Sequence, residues 1–309
     1  MKNNLSNIKK AINYLNNNEC IGIPTETVYG LAANAYSDKA TLKIFNLKKR
    51  PKKNPLIVHY YSLSDLKKDC LIDLNFYKLY KKFCPGPVSF VLKLKNNSCI
   101  SKNVTNNNNT IAVRFPNHKL TRNLLKVLKY PLAAPSANLS KQISPVSKSD
   151  VVEEFGKKIK FVLDGGQSKV GVESTIVSLI GKPKILRLGG IERKSIEKFF
   201  INKNKKKYKK KKIAVPGQGK VHYSPGIPIR LNVKHPKNDE AYILIKKRKL
   251  SKDNFYYLSK KKNLKEAAKN LYKTLRIIKK NKFKSIAVEK IPNIGFGETI
   301  NDRLIRASK

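Results

Sequence analysis

The sequence predicts an α/β fold, and three observations point to it. Short apolar runs of strand length alternate with stretches of helical periodicity through residues 1–202. Several apolar runs end in polar tips carrying Pro, Gly, Ser or Thr, which is how strands of such folds hand over to ligand-facing loops. A lysine run, NKKKYKKKK at Asn204–Lys212, then divides the chain from a shorter stretch with strand and helix signals of its own.

The elements follow in order. Leu5, Ile8, Ile12 and Leu15 recur at helical spacing and predict an amphipathic first helix. A strand is expected at Cys20–Ile23 and a helix at Lys39–Leu47. Apolar runs at Leu56–Tyr60, Val88–Leu94, Ile111–Phe115, Leu132–Ala134, Phe161–Leu163, Thr175–Leu179 and Ile185–Leu188 read as strands. Helices fit between them at Leu66–Leu71, Phe76–Phe83, Leu120–Leu128 and Asp150–Lys157. Residues 1–202 thus make one α/β domain of ordinary size. Residues 203–227 are too polar, repulsive and Gly/Pro-rich to pack, and are expected to form a basic linker. Residues 228–309 make a small α/β, Rossmann-like domain, with strands at Tyr242–Ile245 and Ile286–Val288 and a helix at Leu264–Ile278.

Composition narrows the function classes. A chain of 309 residues with 40% hydrophobic content has the means to build a core. No apolar run approaches the roughly 20 residues a membrane helix needs, and the N-terminus lacks a contiguous apolar signal segment, so a cytoplasmic protein without membrane contact is expected. Cys20, Cys70, Cys84 and Cys99 form no CxxC pair and neighbour no histidine cluster, which argues against a zinc site and a disulfide scaffold. The net charge of +47 would ordinarily indicate nucleic-acid binding. Nearly all of it is lysine, however, with arginine at only ten positions and no tryptophan, a profile of drift toward Lys, Asn and Ile wherever the fold tolerates them. The arginines therefore carry the information, and Arg50, Arg114 and Arg187 stand in the polar tips, where lysine does not replace a planar, bidentate guanidinium.

Five stretches carry the candidate chemistry. PLAAPSANLS (Pro131–Ser140) combines the hydrogen-bonding side chains of Ser136 and Asn138 with small neighbours that leave room against the backbone, which suits a phosphate or ribose. The plain alternative is a surface turn in which Ser136 or Asn138 caps a helix. PTETVYG (Pro24–Gly30), KKRPKKNPLIVH (Lys48–His59), TIAVRFP (Thr110–Pro116) and the stretch Asp164–Arg187 are the others. Polar tips on successive strands converge on one site in α/β sheets. Lys48 and Arg50 can meet an anion as point charge and fork, with Asn54 adding a hydrogen bond, or they form a solvated helix end. Arg114 ends an apolar strand, where a charge is costly unless paired, as with a nearby acid.

Together these stretches resemble the Sua5/YrdC family, the L-threonylcarbamoyladenylate synthases, in its two-domain Sua5 form. The resemblance rests on PTETVYGL, KxRPxxNPLIVH, the SAN run followed by SP at Ser144, GVESTIV with LRLGG, and PGxxxxHYSP in the linker, in that order. It implies a twisted, open mixed sheet with helices, and a reaction that makes threonylcarbamoyl-AMP and pyrophosphate from L-threonine, bicarbonate and ATP for tRNA modification at adenosine 37. It implies ATP binding by Lys48, Arg50, Asn54, Thr110, Ser136, Asn138, Ser144, Arg187 and Tyr223, with Lys48 and Arg50 in the catalytic role. It implies threonine binding by Thr27, His59, Arg114, Ala134 and Ser174, with Thr110 near the amino acid, and it makes the linker a lid with His222 beside Tyr223. Mg²⁺ is expected with ATP, its protein ligands being unknown. Further partners are tRNA and the threonylcarbamoyl-transferase machinery.

Some assignments stay open at this level. Glu173 is either an arginine partner or a Mg²⁺ ligand. Tyr29 either covers the amino acid or belongs to the core. Asp302 and Arg303 read as a local helix pair. The chain also departs from the family pattern: Lys49 stands where glycine is usual, Cys84 where an aromatic is usual, and Gln218 and Gly219 where the linker has Met and Lys. Two rival readings remain. One is a noncatalytic tRNA- or ribosome-binding protein, opposed by the lack of an aromatic stacking motif. The other is the carbamoyl-transfer step of hydrogenase maturation, opposed by the lack of cysteine-rich segments.

Overall fold

The computed structural model describes residues 2–200 and 222–309. The lysine run and the departures at Gln218 and Gly219 lie outside the described residues.

Helix α1 (Lys2–Asn16) buries Ile8, Ala11 and Leu15 against β1 (Ile21–Ile23) and the helix at 119–127, while Leu5 of the expected apolar face remains 65% exposed. Strand β2 (Gly30–Asn34) follows, then α2 (Asp38–Lys48), capped by the Ser37 side chain, and β3 (Ile57–His59). Next come α3 (Leu63–Asp69), β4 (Cys70–Leu71), α4 (Leu74–Phe83), β5 (Val88–Leu94), α5 (Lys102–Thr105), β6 (Thr110–Arg114) and α6 (Lys119–Val127). The first part closes with β7 (Leu132–Ala133), α7 (Lys148–Phe155), β8 (Thr175–Ser178), β9 (Lys184–Arg187) and α8 (Arg193–Glu197).

These strands form one mixed sheet in the order β1-β2-β7-β3-β6-β5-β8-β9, with β4 on β5. Only β3–β6 and β5–β8 pair in parallel. The expected strand at Phe161–Leu163 is reduced to a single bridge between Val162 and Gly22. Strand β2 was not expected, because Gly-Leu-Ala-Ala-Asn has little strand propensity. Its place between β1 and β7, with Leu31, Ala32 and Ala33 fully buried, overrides that propensity.

Side-chain alternation splits the sheet into two faces. Val58, Phe90, Leu92, Val113 and Val177 join the large core with Ile44, Phe45, Phe76 and Leu79 of α2 and α4. Ile57, Val91, Ala112 and Ile176 share the other face, and it is this face that continues into polar residues at one edge.

The second part begins at β10 (Ile229–Arg230) and continues through β11 (Glu240–Leu244), β12 (Phe255–Tyr257), α9 (Leu264–Lys280), β13 (Ser285–Val288) and α10 (Phe296–Ala307). Its sheet, ordered β10-β13-β11-β12, is parallel throughout. Helices α9 and α10 pack on one face through Leu271, Leu275, Ile300 and Leu304, and the same core takes in Val28, Ile143 and Val172 of the first part. A shared core of this kind ties the two parts into one structure.

Candidate active site

Strand direction places the charged tips. Strands β3 and β6 run in parallel and end side by side at the register pair His59↔Arg114. Strand β5 runs opposite to β6, so its start, Ser89, lies against Arg114 on the other side. Strand β8, parallel to β5, begins just after Ser174 at that edge, and β9 ends there with Arg187 opposite Ile176. His59, Arg114, Ser174 and Arg187 therefore meet at one edge of one face, though they span much of the sequence.

The SAN run closes the cleft from the β7 side. It is not a free turn: Leu31 N donates to Pro135 O at 2.8 Å and Ala137 N to Tyr29 O at 2.8 Å, so the run rides on the start of β2. The cleft encloses about 520 Å³ out to its open mouth and is lined by Thr27, Arg50, His59, Arg114, Ala134, Ser136, Ser174 and Arg187 among the residues the sequence singles out. Thr25, Glu173 and His222 complete its polar wall.

Other expected site residues sit elsewhere. Lys48 is buried, and its ammonium donates to Ser136 O at 2.5 Å and to Asn138 O, bracing the SAN run instead of facing the cleft. Burial and the neighbouring Arg50 push its pKa well below the ordinary lysine value. Asn54 contributes its backbone carbonyl, which accepts from Arg50 Nε at 3.0 Å. Asn138 Nδ2 is spent on the carbonyls of Leu139 and Gln142, and its buried Oδ1 has no partner. Thr110 opens β6 at the end opposite Arg114, roughly 13 Å away by strand rise, beside Lys93 and outside the cleft lining. Tyr223 is fully buried, stacked on Tyr272 at 5.7 Å, so His222 and not Tyr223 borders the cleft.

Each cation is held in a definite way. Arg50 is fixed from the loop side, with NH2 donating to Pro55 O at 2.8 Å. Burial and the charge of Arg187 pull its pKa down to about 9, so it stays charged at neutral pH. Arg187 donates Nε and NH2 to Ser174 O at 3.2 and 2.9 Å and NH2 to Ser174 Oγ at 3.2 Å, while Ser174 Oγ lies 2.8 Å from Ser89 Oγ. Like charges brought together in a buried cleft are costly, and an anion offsets that cost.

Arg114 pairs with Glu26, the Glu of the PTETVYG tip, at 2.7 Å. The contact is an ion pair without hydrogen-bond geometry, since Nε, the same NH2 and Glu26 Oε1 all lack a hydrogen-bond partner. Sequence reasoning allowed an acid beside Arg114 but did not single out Glu26. His59 is 2% exposed with Nδ1 unpartnered, and burial together with Arg114 drives its pKa well below 6.5, so it is neutral. Tyr29 belongs to the core and also lines the cleft, its hydroxyl donating to Gly166 O at 2.8 Å and accepting from Gly165 N at 3.1 Å.

Glu173 resolves as an arginine partner. Its Oε1 accepts from Ser144 Oγ at 2.6 Å, both oxygens accept from the Tyr272 hydroxyl at 3.0 and 2.9 Å, and Oε2 accepts from Arg303 Nε at 2.8 Å. Burial raises its pKa, but Arg303, Arg187 and Ser144 outweigh burial and hold the carboxyl at about 2. Three donors, from Ser144, Tyr272 and Arg303, thus engage this carboxylate. Ser144 is likewise committed to Glu173. Among the described residues no group of three His, Cys, Asp or Glu side chains is placed to hold a metal ion. Arg303 is no merely local helix residue: besides touching Asp302, it crosses from α10 to Glu173. Its signal in the sequence was the scarcity of arginine.

Comparison with known proteins identifies the family. Residues 13–189 match the Sua5/YciO/YrdC family profile, described as telomere recombination, and residues 191–309 match the profile described as threonylcarbamoyl-AMP synthase, C-terminal domain. The chain is 33% identical to the threonylcarbamoyl-AMP synthase of Pyrococcus abyssi, covering 97% of this chain and 94% of that one. It is 34% identical to that of Bacillus subtilis, covering 97% and 92%. The crystal structure of P. abyssi Sua5 complexed with L-threonine superposes with a TM-score of 0.86 at 32% identity, over 97% of this chain and 94% of that one. Full-length HypF shares the fold alone, with a TM-score of 0.53 at 22% identity over 60% of this chain.

Proposed function

This chain belongs to the Sua5/YciO/YrdC family, and on that premise we propose that it is a threonylcarbamoyl-AMP synthase whose cleft joins L-threonine, bicarbonate and ATP, releasing pyrophosphate. The observation that carries this reading is the gathering of Arg50, Arg114, Arg187 and neutral His59 around one cleft, in a chain similar over 97% of its length to a synthase of that name.

The chemistry needs placement and charge stabilisation more than a covalent nucleophile. The threonine amine adds to bicarbonate and water leaves, giving a carbamate. A carbamate oxygen attacks the α-phosphorus, and the β,γ-pyrophosphate departs with the bond electrons. Arg114, with two nitrogens lacking hydrogen-bond acceptors, takes the threonine carboxylate in competition with Glu26. Neutral His59 and Thr27 line the amino-acid side, with Ala134 and Ser174 completing it. Arg50 and Arg187 meet the phosphates, and Ser136 borders the nucleotide. Lys48, Asn138 and Ser144 act from behind, holding the SAN run and Glu173. Mg²⁺ enters as the counterion of the triphosphate. The product is labile in water, so a closing linker would protect it; it would pass in the cytoplasm to a transferase that acts on tRNA.

The decisive assay is pyrophosphate release from ATP with Mg²⁺ and bicarbonate, with and without L-threonine and with L-serine as control. Threonine-dependent release is expected, whereas a noncatalytic RNA-binding protein gives none. Arg50→Ala is expected to weaken ATP and Arg114→Ala to weaken threonine, each by roughly 10- to 100-fold, the worth of a charge-assisted hydrogen bond. Full turnover and unchanged KM values in both variants would sink the site assignment.

A further inference from the structure

Glu173 is the only acidic side chain lining the cleft among the described residues, and the cleft otherwise presents arginines. An uncompensated carboxylate there would repel an anionic ligand and compete with it for Arg187, whose charge already bears on Glu173. The group that compensates it comes from the second domain. Arg303, on α10 and 1% exposed, donates Nε to Glu173 Oε2 and NH2 to Leu188 O at 2.7 Å, the carbonyl next after Arg187. Its guanidinium also lies 4.8 Å from the centre of the Tyr223 ring. Thr299, one helical turn earlier, donates to Gly189 O at 3.2 Å. Helix α10 thus grips both the acid of the cleft and the segment that carries Arg187.

We propose that Arg303 is a positioning residue of the nucleotide site: by neutralising Glu173 and holding the Leu188 carbonyl, the second domain keeps the cleft's own carboxylate from acting as an internal competitor of the triphosphate. The proposal rests on the reading of the cleft as an ATP site. A buried carboxylate that loses its partner turns to the nearest cation or repels the incoming anion, and either costs nucleotide affinity. The threonine side, organised by Arg114 and Glu26, is spared.

The test compares wild type, Arg303→Met, Arg303→Lys and the double variant Glu173→Gln/Arg303→Met, each checked for folding by circular dichroism. Arg303→Met is expected to raise KM for ATP about tenfold, equivalent to about 1.4 kcal/mol, with KM for threonine moving less than twofold and kcat at saturating ATP largely kept. Arg303→Lys, which keeps the charge, falls between. Adding Glu173→Gln removes the orphaned charge and recovers most of the lost affinity. An unchanged KM for ATP in Arg303→Met, or no recovery in the double variant, overturns the proposal. Should Arg303→Met fail to fold, the double variant is read against wild type: a KM within threefold supports the proposal and a tenfold rise overturns it. A wild type without threonine-dependent pyrophosphate release would count against the proposed function instead, and calorimetric Kd values for ATP in the same variants would then decide the role of Arg303.

Discussion

Lys49 shows how a single residue is placed by its surroundings. It terminates α2 at φ +48°, in the left-handed region that favours glycine, with its N–H on Asn46 O and Phe45 O. A side chain at such a φ costs roughly 1–2 kcal/mol, partly offset by the greater freedom glycine has when unfolded. Lys49 is exposed and touches none of the cleft chemistry, so Lys49→Gly is expected to stabilise the protein by roughly 0.5–1 kcal/mol. A urea midpoint that falls would refute this account. At the same scale, the arginines repay attention. Arg50, Arg114, Arg187 and Arg303 are all buried; Arg50, Arg187 and Arg303 donate to backbone carbonyls, Arg303 also to a carboxylate, and Arg114 forms an ion pair with Glu26. Their identity was legible because the rest of the chain has so freely adopted lysine. Glu26, which pairs with Arg114, and Tyr272, which bonds the Glu173 carboxylate held by Arg303, were not, since neither residue type stands out in sequence.

Elements with strong periodicity or apolar runs, such as α9, β5 and β6, read clearly from the sequence. Strands β2, β10 and β12 did not, because short or small-residue strands gain their pairing from neighbours that are remote in sequence. One contact between elements bears directly on the site. Gly171, at φ +75°, lies so close to α9 that a Cβ there would stand 2.3 Å from Lys269 O. Only glycine fits both the backbone angle and the approach. Two residues later comes Glu173, so this packing sets the carboxylate within reach of Tyr272 on the same helix. Gly171→Ala is expected to destabilise by about 2–4 kcal/mol, combining backbone strain with overpacking. Thermal melting checks it, and a loss below about 0.5 kcal/mol, the range of ordinary surface substitutions, would mean that α9 does not press on this loop.

At the scale of the whole molecule, burial of titratable groups makes stability depend on pH. Burial depresses His59 well below 6.5 and His222 to about 3, with nearby cations adding to the effect. The unfolded chain therefore binds protons that the folded chain refuses, so stability falls as pH drops below about 6.5. Glu173, held at about 2 against 4.5 when unfolded, contributes stability that is present above pH 4.5 and lost as pH falls toward 2. Both changes run the same way, in adjoining windows. The urea midpoint is expected to decline from pH 6.5 to 4.5, with His222→Gln flattening the slope by up to about 1.4 kcal/mol per pH unit, one proton's worth; an unaltered slope would show that His222 titrates normally. The sequence by itself determined the α/β class, the second small domain's α/β pattern, the family and most cleft-lining residues, because strand periodicity, polar strand tips and motif order are local properties of the chain. Only the tertiary structure decided that Thr110 stands at the wrong end of β6, that Lys48 and Tyr223 turn inward, and that Arg303 closes on Glu173. Those outcomes depend on strand direction and on the docking of α9 and α10, which bring together residues 99 and 130 positions apart and which no local pattern encodes.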